Sequence, residues 1–368
     1  MLNPACRCAL VILALCALPA LADAADGFFR EDLRIPMAAT GSRGLEATLV
    51  RPDAPGRFPL ALINHGSPRT RANASRMTPS ALLPQALEFA RRGWAAVILM
   101  RRGYGESGGG FAESFGSCNH PDYLSAGRAS AADLKAAIVA LAGRADIDGS
   151  RVISVGHSAG GFATVALTAD PPPGLAAGIS FAGGRGSQSD DEVCDADRLV
   201  AAFATFGQHS RIPMLWVYAE NDRFFGPRLA QKFKDAFSGA GGHVEFVKVP
   251  PFGADGHSLF SASGISVWPR YVDAFLAEHR LTARASLLAR PSSPMLTPPP
   301  QLSGRGRQAF ETYLMSGPHK AFAVSPDGHF GWRTGQRTVD DARAGALENC
   351  HRNASDCEIV FVDSAAVR

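Results

Sequence analysis

Between about Phe28 and His279, short apolar runs alternate with helical stretches, and this alternation restricts the fold more than any other feature of the chain. Leu60–Ile63, Ala95–Met100, Arg151–Val155, Leu175–Phe181, Pro213–Tyr218 and Val244–Val249 read as strands. The middle ones are apolar at nearly every position, as strands covered on both faces of a parallel sheet must be. Helices are expected at Ala81–Arg91, Ala129–Leu141, Phe162–Ala169, Ala196–Phe206, Arg228–Phe237 and Val267–Glu278. Asp32–Met37 and Leu45–Arg51 read as an antiparallel pair at the sheet edge. The expected architecture is a doubly wound, mostly parallel α/β sheet. With 368 residues, 46% of them hydrophobic, the chain can bury a full-sized core.

Both ends depart from this pattern. Arg7, the apolar run Ala9–Leu18 and the small residues of Ala20-Leu21-Ala22 or Ala22-Asp23-Ala24 read as a cleaved export signal over residues 1–24. The run is too short to span a bilayer. Cys16 follows the large Leu15, which disfavours a lipid anchor. The α/β domain is then expected over 25–281, in a secreted or periplasmic protein. Residues 282–305 are rich in Pro, Ser and Arg, with Pro298-Pro299-Pro300 consecutive, and read as a linker. A small α+β module is expected over 306–368. Its strands are Lys320–Val324, Phe330–Trp332 and Ile359–Val362, and its helix is Val339–Cys350. So small a core is marginal and gains from a covalent staple. Nothing in the module names a partner, and the tail is expected to be dispensable for chemistry.

After loss of Cys6, Cys8 and Cys16 with the signal, Cys118, Cys194, Cys350 and Cys357 remain. An even count in an exported chain favours disulfides, with three connectivities open. Cys350 ends a helix and Cys357 begins a strand across a short turn, which favours that pair and leaves Cys118 for Cys194. No Cys/His spacing suggests a metal site, and no cofactor is expected. Lys+Arg 37 against Asp+Glu 34 is near balance, and no basic run interleaves with aromatics. Nucleic-acid and membrane-surface partners are therefore not supported.

Two segments match Gly-x-Ser-x-Gly. In Val152-Ile153-Ser154-Val155-Gly156-His157-Ser158-Ala159-Gly160-Gly161-Phe162, an apolar run leads through the glycines into a helix-forming stretch. This is the strand–turn–helix setting of a nucleophile elbow, where Ser158 would stand at a helix N-terminus. Gly105-Glu106-Ser107-Gly108-Gly109 also follows a strand, but Gly110–Gly116 has no helical period. Ser158, not Ser107, is the candidate nucleophile.

A serine hydroxyl needs a base and an orienting carboxylate. Asp222 follows the strand ending at Tyr218 and is the candidate acid, with Glu220 as the alternative. His257 lies in a Gly-flanked loop after Val244–Val249 and is the candidate base. His243, His279, His319, His329 and His351 are placed less well by order and topology. The amides of Ala159, next to the nucleophile, and of Ser67, in Asn64-His65-Gly66-Ser67-Pro68, are the candidate oxyanion donors. His65 reads as a structural hydrogen-bonder.

Residues 28–280 resemble the α/β-hydrolase superfamily, and most closely its secreted dienelactone-hydrolase-like and prolyl-oligopeptidase-like serine hydrolases. The resemblance is carried by Asn64-His65-Gly66, Arg101-Arg102-Gly103-Tyr104-Gly105-Glu106-Ser107-Gly108, the Ser158 elbow, Glu220-Asn221-Asp222 and Asp255-Gly256-His257. It implies that Gly103–Gly108 is a structural loop. Dienelactone hydrolases use a cysteine nucleophile, whereas this elbow carries serine. The expected activity is hydrolysis of carboxylic esters through an acyl-enzyme on Ser158, His257 and Asp222. Phe203, Phe206, Phe224 and Phe225 are candidates for an apolar acyl pocket or for plain core. A serine peptidase acting on short peptides is the alternative enzyme, and a non-catalytic binding protein the alternative class.

Overall fold

The computed structural model describes residues 23–25, 27–292 and 295–367. The expected export signal lies outside these residues except for its last two. Nine strands form one sheet: β1 Asp23–Ala25, β2 Phe28–Ile35, β3 Leu45–Pro52, β4 Phe58–Asn64, β5 Ala95–Leu99, β6 Ile147–His157, β7 Leu175–Phe181, β8 Met214–Ala219 and β9 Val244–Val249. Their spatial order is β1-β2-β3-β5-β4-β6-β7-β8-β9. The six strands from β5 to β9 in that order are parallel, and β1, β2 and β3 are antiparallel. The sheet is the doubly wound one that the alternation implies.

Successive residues of β4 serve opposite cores, because side chains on a strand alternate between faces. Ala61 and Ile63 pack with Phe89, Trp268, Val272 and Phe275, from α1 (Leu83–Arg91), α6 (Pro269–Glu278) and the turn before it. Leu60 and Leu62 pack with Leu134, Ile138, Leu141 and Leu167, from α2 (Tyr123–Ala142) and α3 (Ala159–Thr168). Farther along that face, Trp216 and Tyr218 meet Phe203, Phe206 and Phe233 from α4 (Ala196–His209) and α5 (Pro227–Gly239). Each such side chain contributes about 1.5–3 kcal/mol on burial. Both faces being covered explains why the central strands carry no alternation of polar residues.

The chain leaves β4 for β5 on one side and returns to β6 on the other. Loops leaving the C-terminal ends of β4 and β6 therefore diverge, and the crevice between them is where such sheets take ligands.

The C-terminal module is an antiparallel sheet of β10 (Ala321–Val324), β11 (Phe330–Arg333), β12 (Glu358–Val362) and β13 (Ala365–Ala366), in the order β11-β10-β12-β13. One face packs on α8 (Val339–His351), which opens with a Thr338/Asp341 capping box. The other packs on α7 (Gly304–Met315), through Phe310 and Tyr313 against Phe322 and Phe361.

The sequence reading did not anticipate α7, which begins inside the stretch read as linker. Few of its residues are apolar, and its C-terminus is held from outside the helix. The buried Lys320 ammonium donates to the carbonyls of Tyr313, Leu314 and Ser316. The stretch before α7 is not a free tether either. Leu288 N–H and carbonyl both bond to Arg91, and Arg290 pairs with the buried Glu88 at 2.9 Å. The carboxylate that receives Arg290 stands on α1 and is only visible once that helix is folded.

Cys118 is bonded to Cys194 and Cys350 to Cys357, with Cα–Cα separations of 4.8 and 6.1 Å. Two disulfides suit an oxidising, extracellular compartment. Among the described residues, no helix is long and apolar enough to cross a membrane, and no three His, Cys, Asp or Glu side chains gather as metal ligands would.

Candidate active site

Ser158 joins β6 to α3 with φ 56° and ψ −121°, a backbone conformation that costs a non-glycine residue about 1–3 kcal/mol. Its neighbours hold it there. Ser158 N–H donates to Phe181 carbonyl at 2.9 Å, and Ser158 carbonyl accepts from Phe162 and Gly184 amides at 3.0 and 3.1 Å. The turn is so close that a Cβ at Gly156 would overlap Gly160 carbonyl, and one at Gly160 would overlap the carbonyls of Asn64 and His65. The hydroxyl makes no capping bond to the helix it precedes.

Asp222 and His257 leave the ends of β8 and β9. Asp222 is buried, and its carboxylate accepts from Phe224 and Phe225 amides at 2.7 and 2.9 Å. His257 Nδ1–H faces both carboxylate oxygens, at 3.2 and 3.1 Å. These hydrogen bonds outweigh burial and hold the Asp222 carboxyl below its ordinary range. Glu220, the alternative acid, is exposed. The His257 ring stacks on Phe224 with centroids 3.9 Å apart.

The loop after β4 folds back over the serine, and a Cβ at Gly66 would stand 3.0 Å from Ser158 Cβ. Two cavities of about 290 Å³ each meet at Ser158. One is bordered by Arg71, Ala159, Arg185 and Phe225; the other by His257, Met77, Ala81 and Leu82; Ser67, Arg69 and Phe224 face both. Ser158, Ser67 and Ala159 thus share the first cavity, and Ser158, Ser67 and His257 share the second. Phe203 and Phe206 do not reach either; they pack edge-on against Phe162 in the core.

A model of the X-Pro dipeptidyl-peptidase (S15) family matches residues 41–224, half of the 368-residue chain. The chain belongs to the S15 family, and with it to the α/β-hydrolase superfamily. Among solved structures it is similar to a protein named as a dienelactone hydrolase from Klebsiella pneumoniae subsp. pneumoniae MGH 78578. That likeness has 16% identity and a TM-score of 0.49, over 69% of this chain and 98% of that one. A propionate-bound esterase of Thermogutta terrifontis is similar at 17% identity and TM-score 0.49, over 70% and 96%. An esterase of Pyrococcus furiosus is similar at 15% and 0.46, over 69% and 91%. No curated protein matches the chain.

His157, Asn221 and Asp255 stand in the motifs that carry the resemblance, but the sequence alone assigns them no role of their own. His157 Nε2–H donates to His257 carbonyl at 2.8 Å, so the elbow itself holds the histidine loop. Burial and the neighbouring His257 lower His157 to a pKa of about 3, which keeps it neutral. Asp255 accepts from the amides of His257 and Arg223 at 2.9 and 3.1 Å. Asn221 accepts from Phe252 N–H at 2.8 Å and donates to Phe252 and Gly253 carbonyls, stapling the acid loop to the histidine loop. Each of these sits within two residues of a candidate, which was the available signal.

Glu113 gave no signal at all, yet it centres a buried network under the Ser67 loop. It accepts from Arg101 at 2.7 and 3.1 Å, Arg185 at 2.7 Å, Tyr104 at 2.5 Å and Ser130 at 2.6 Å. The two guanidiniums overcome the burial penalty and hold its carboxyl well below the usual range. Tyr104, pushed up to about 12 by burial and Glu113, keeps its proton for that bond and accepts from Ser67 Oγ at 2.7 Å. His65 donates from Nδ1 to Gly66 carbonyl at 2.6 Å and accepts from Arg101 N–H at 3.2 Å. Burial and the Arg101 charge lower it to about 3. It is a neutral brace for the loop, with both ring nitrogens engaged.

Proposed function

We propose that this S15-family chain is an exported serine hydrolase that cleaves carboxylic esters through an acyl-enzyme on Ser158. The observation that carries the reading is the convergence of a strained serine at a helix N-terminus with a histidine whose Nδ1 is held by a buried carboxylate. Ser158 Oγ attacks the ester carbonyl while His257 Nε2, the nitrogen left free by Asp222, takes its proton. The oxyanion forms against the amides of Ala159 and Ser67, and His257 returns the proton to the departing alcohol. Water then repeats the sequence and releases the acid. Asp222 supports the imidazolium and fixes its tautomer.

The family's own description favours a second reading, a dipeptidyl-peptidase. An exopeptidase of that kind must receive a free α-ammonium, which calls for a carboxylate in the pocket. Among the described residues, neither cavity at Ser158 is lined by Asp or Glu, which supports the ester reading over this one. The third reading, a binding protein on a hydrolase scaffold, has no use for a strained serine.

A fluorophosphonate probe tests the proposal. The expected adduct maps to the peptide carrying Ser158 and disappears in Ser158→Ala, along with turnover of p-nitrophenyl esters. An unlabelled wild-type protein, or an adduct on another serine, would sink it.

A further inference from the structure

We infer that the acyl group accepted by this site ends in a carboxylate, so that the substrates are half-esters of short dicarboxylic acids with an apolar alcohol. The inference rests on the serine-hydrolase reading above.

The two cavities can be assigned by chemistry alone. The group that protonates the leaving oxygen must lie on the leaving side. The cavity bordered by His257 therefore takes the alcohol, and its other walls are mostly apolar, with Met77, Ala81, Leu82 and Phe224, while Arg69 stands where the two cavities meet. The cavity bordered by Ala159, which His257 does not line, takes the acyl chain.

That acyl cavity has Arg71 and Arg185 in its wall, with Arg69 shared between the two cavities, beside Ser114, Ser187 and Gln188, and among the described residues no acid. The charges behind the wall do not balance. Under its floor two buried guanidiniums, Arg101 and Arg185, share the single carboxylate of Glu113. The neighbouring Arg102 is matched by Asp133 and changes nothing in the count. His65 is neutral and adds no charge. At the rim, Arg69 and Arg223 share Asp190 at 3.3 and 3.2 Å. Arg71 lies over the Phe111 ring at 4.6 Å and has no acid partner among the described residues. Arg185 itself keeps a buried Nε–H without a hydrogen-bond partner.

The buried part of this excess, two guanidiniums on the one carboxylate of Glu113, is costly away from water unless an anion completes it, and the exposed Arg69 and Arg71 add positive charge at the mouth. A substrate carboxylate in this cavity would supply that anion, and arginine offers it bidentate donors. A purely apolar acyl chain would leave the excess in place and desolvate it further. About 290 Å³ admits a short chain with its terminal carboxylate.

The test compares mono-p-nitrophenyl glutarate with p-nitrophenyl pentanoate, a neutral ester of matched chain length. Spontaneous loss through the anhydride is subtracted with Ser158→Ala. The half-ester should have kcat/KM at least about tenfold higher, mainly through KM, which is the scale of one charge-assisted hydrogen bond. Arg71→Gln, at an exposed position that borders the acyl cavity and not the other, should cut the ratio of the two kcat/KM values by about fivefold. Added salt should shrink the ratio as well. Equal or poorer turnover of the half-ester, with Ser158-dependent turnover of the pentanoate, overturns the inference and leaves the hydrolase reading standing. A preference that survives Arg71→Gln overturns it too. So does a larger gain from 4-acetoxybenzoate over its methyl ester, since that puts the carboxylate on the alcohol side. Failure of every ester together with absence of fluorophosphonate labelling removes the hydrolase reading itself.

Discussion

Ser107 and Ser158 occupy the same five-residue pattern, each just past a parallel strand, and each is nearly buried. Their hydroxyls have opposite fates. Ser107 Oγ donates to Met100 carbonyl at 2.7 Å and accepts from Glu46 N–H at 2.9 Å, so the backbone consumes it on both sides. Its glycines serve close packing: a Cβ at Gly105 would overlap Glu46, and one at Gly108 would overlap Thr40 carbonyl. Ser158 instead carries φ 56° directly before a helix, where no capping bond reaches its hydroxyl, and it borders both cavities. The pattern specifies a tight turn around a small polar residue. Whether that residue can react depends on what the turn leads into.

The sharpest way to break this comparison is Ser158→Ala with Ser107 intact. Esterase kcat should fall by at least about 10³-fold, as for members of a catalytic unit, with the circular-dichroism spectrum unchanged. Residual activity that disappears only on removing Ser107 as well would show the two sites are not distinct. The converse substitution, Ser107→Ala, should leave kcat within about twofold. Because it strips partners from Met100 carbonyl and Glu46 N–H, denaturant unfolding should show a loss of about 1–3 kcal/mol. A catalytic defect without a stability defect there would reverse the assignment.

A smaller effect sharpens what supports Ser158 from below. His65 and His157 both have folded pKa values lowered from 6.5 to about 3, so between those pH values the unfolded chain binds more protons. Stability should accordingly decline as pH falls through 6.5 and level off near 3, by at most about 1.4 kcal/mol per pH unit for each histidine. Asp222, lowered from 3.8, loses its contribution as pH falls through that value. Asp133 is raised from 3.8 by burial and works against the histidines, so the slope between about pH 4.5 and 6.5 is read as a difference between wild type and variant. His157→Gln keeps an N–H for His257 carbonyl while removing one titration. Its stability should depend less steeply on pH in that interval, and an undiminished slope would mean His157 is not held neutral.

The tail bears on the same site from another side. It was expected to be dispensable for chemistry, yet Thr78 Oγ donates to Gly335 carbonyl at 2.6 Å and Arg337 reaches Glu46 at 2.9 Å and Met77 carbonyl at 3.2 Å. Met77 and Thr78 border the cavity assigned to the alcohol. The module therefore braces one wall of that cavity.

Much of this was legible in the chain itself. The apolar run Leu175–Phe181 coincides with β7 residue for residue, because burial on both faces leaves little freedom in composition, and Val244–Val249 coincides with β9, the half-buried edge strand that admits Glu245 and Lys248 among its valines. The elbow was legible because only glycine fits where Gly156 and Gly160 stand. The helix Gly304–Met315 was not, since it is capped by Lys320 and packed by Phe322, partners that sequence spacing does not reveal.

By itself the sequence determined the parallel sheet, the sharp turn at Ser158 and an acid and a histidine at later strand ends, because each follows from local periodicity, glycine placement and chain order. Only the tertiary structure decided the charge of the site. Glu113 lies 12 residues from Arg101 and 72 from Arg185. Whether two guanidiniums share one carboxylate depends on which loops the folded sheet brings together under Ser67, and Coulomb balance in a buried cluster is a property of that juxtaposition and not of the composition, which is nearly neutral.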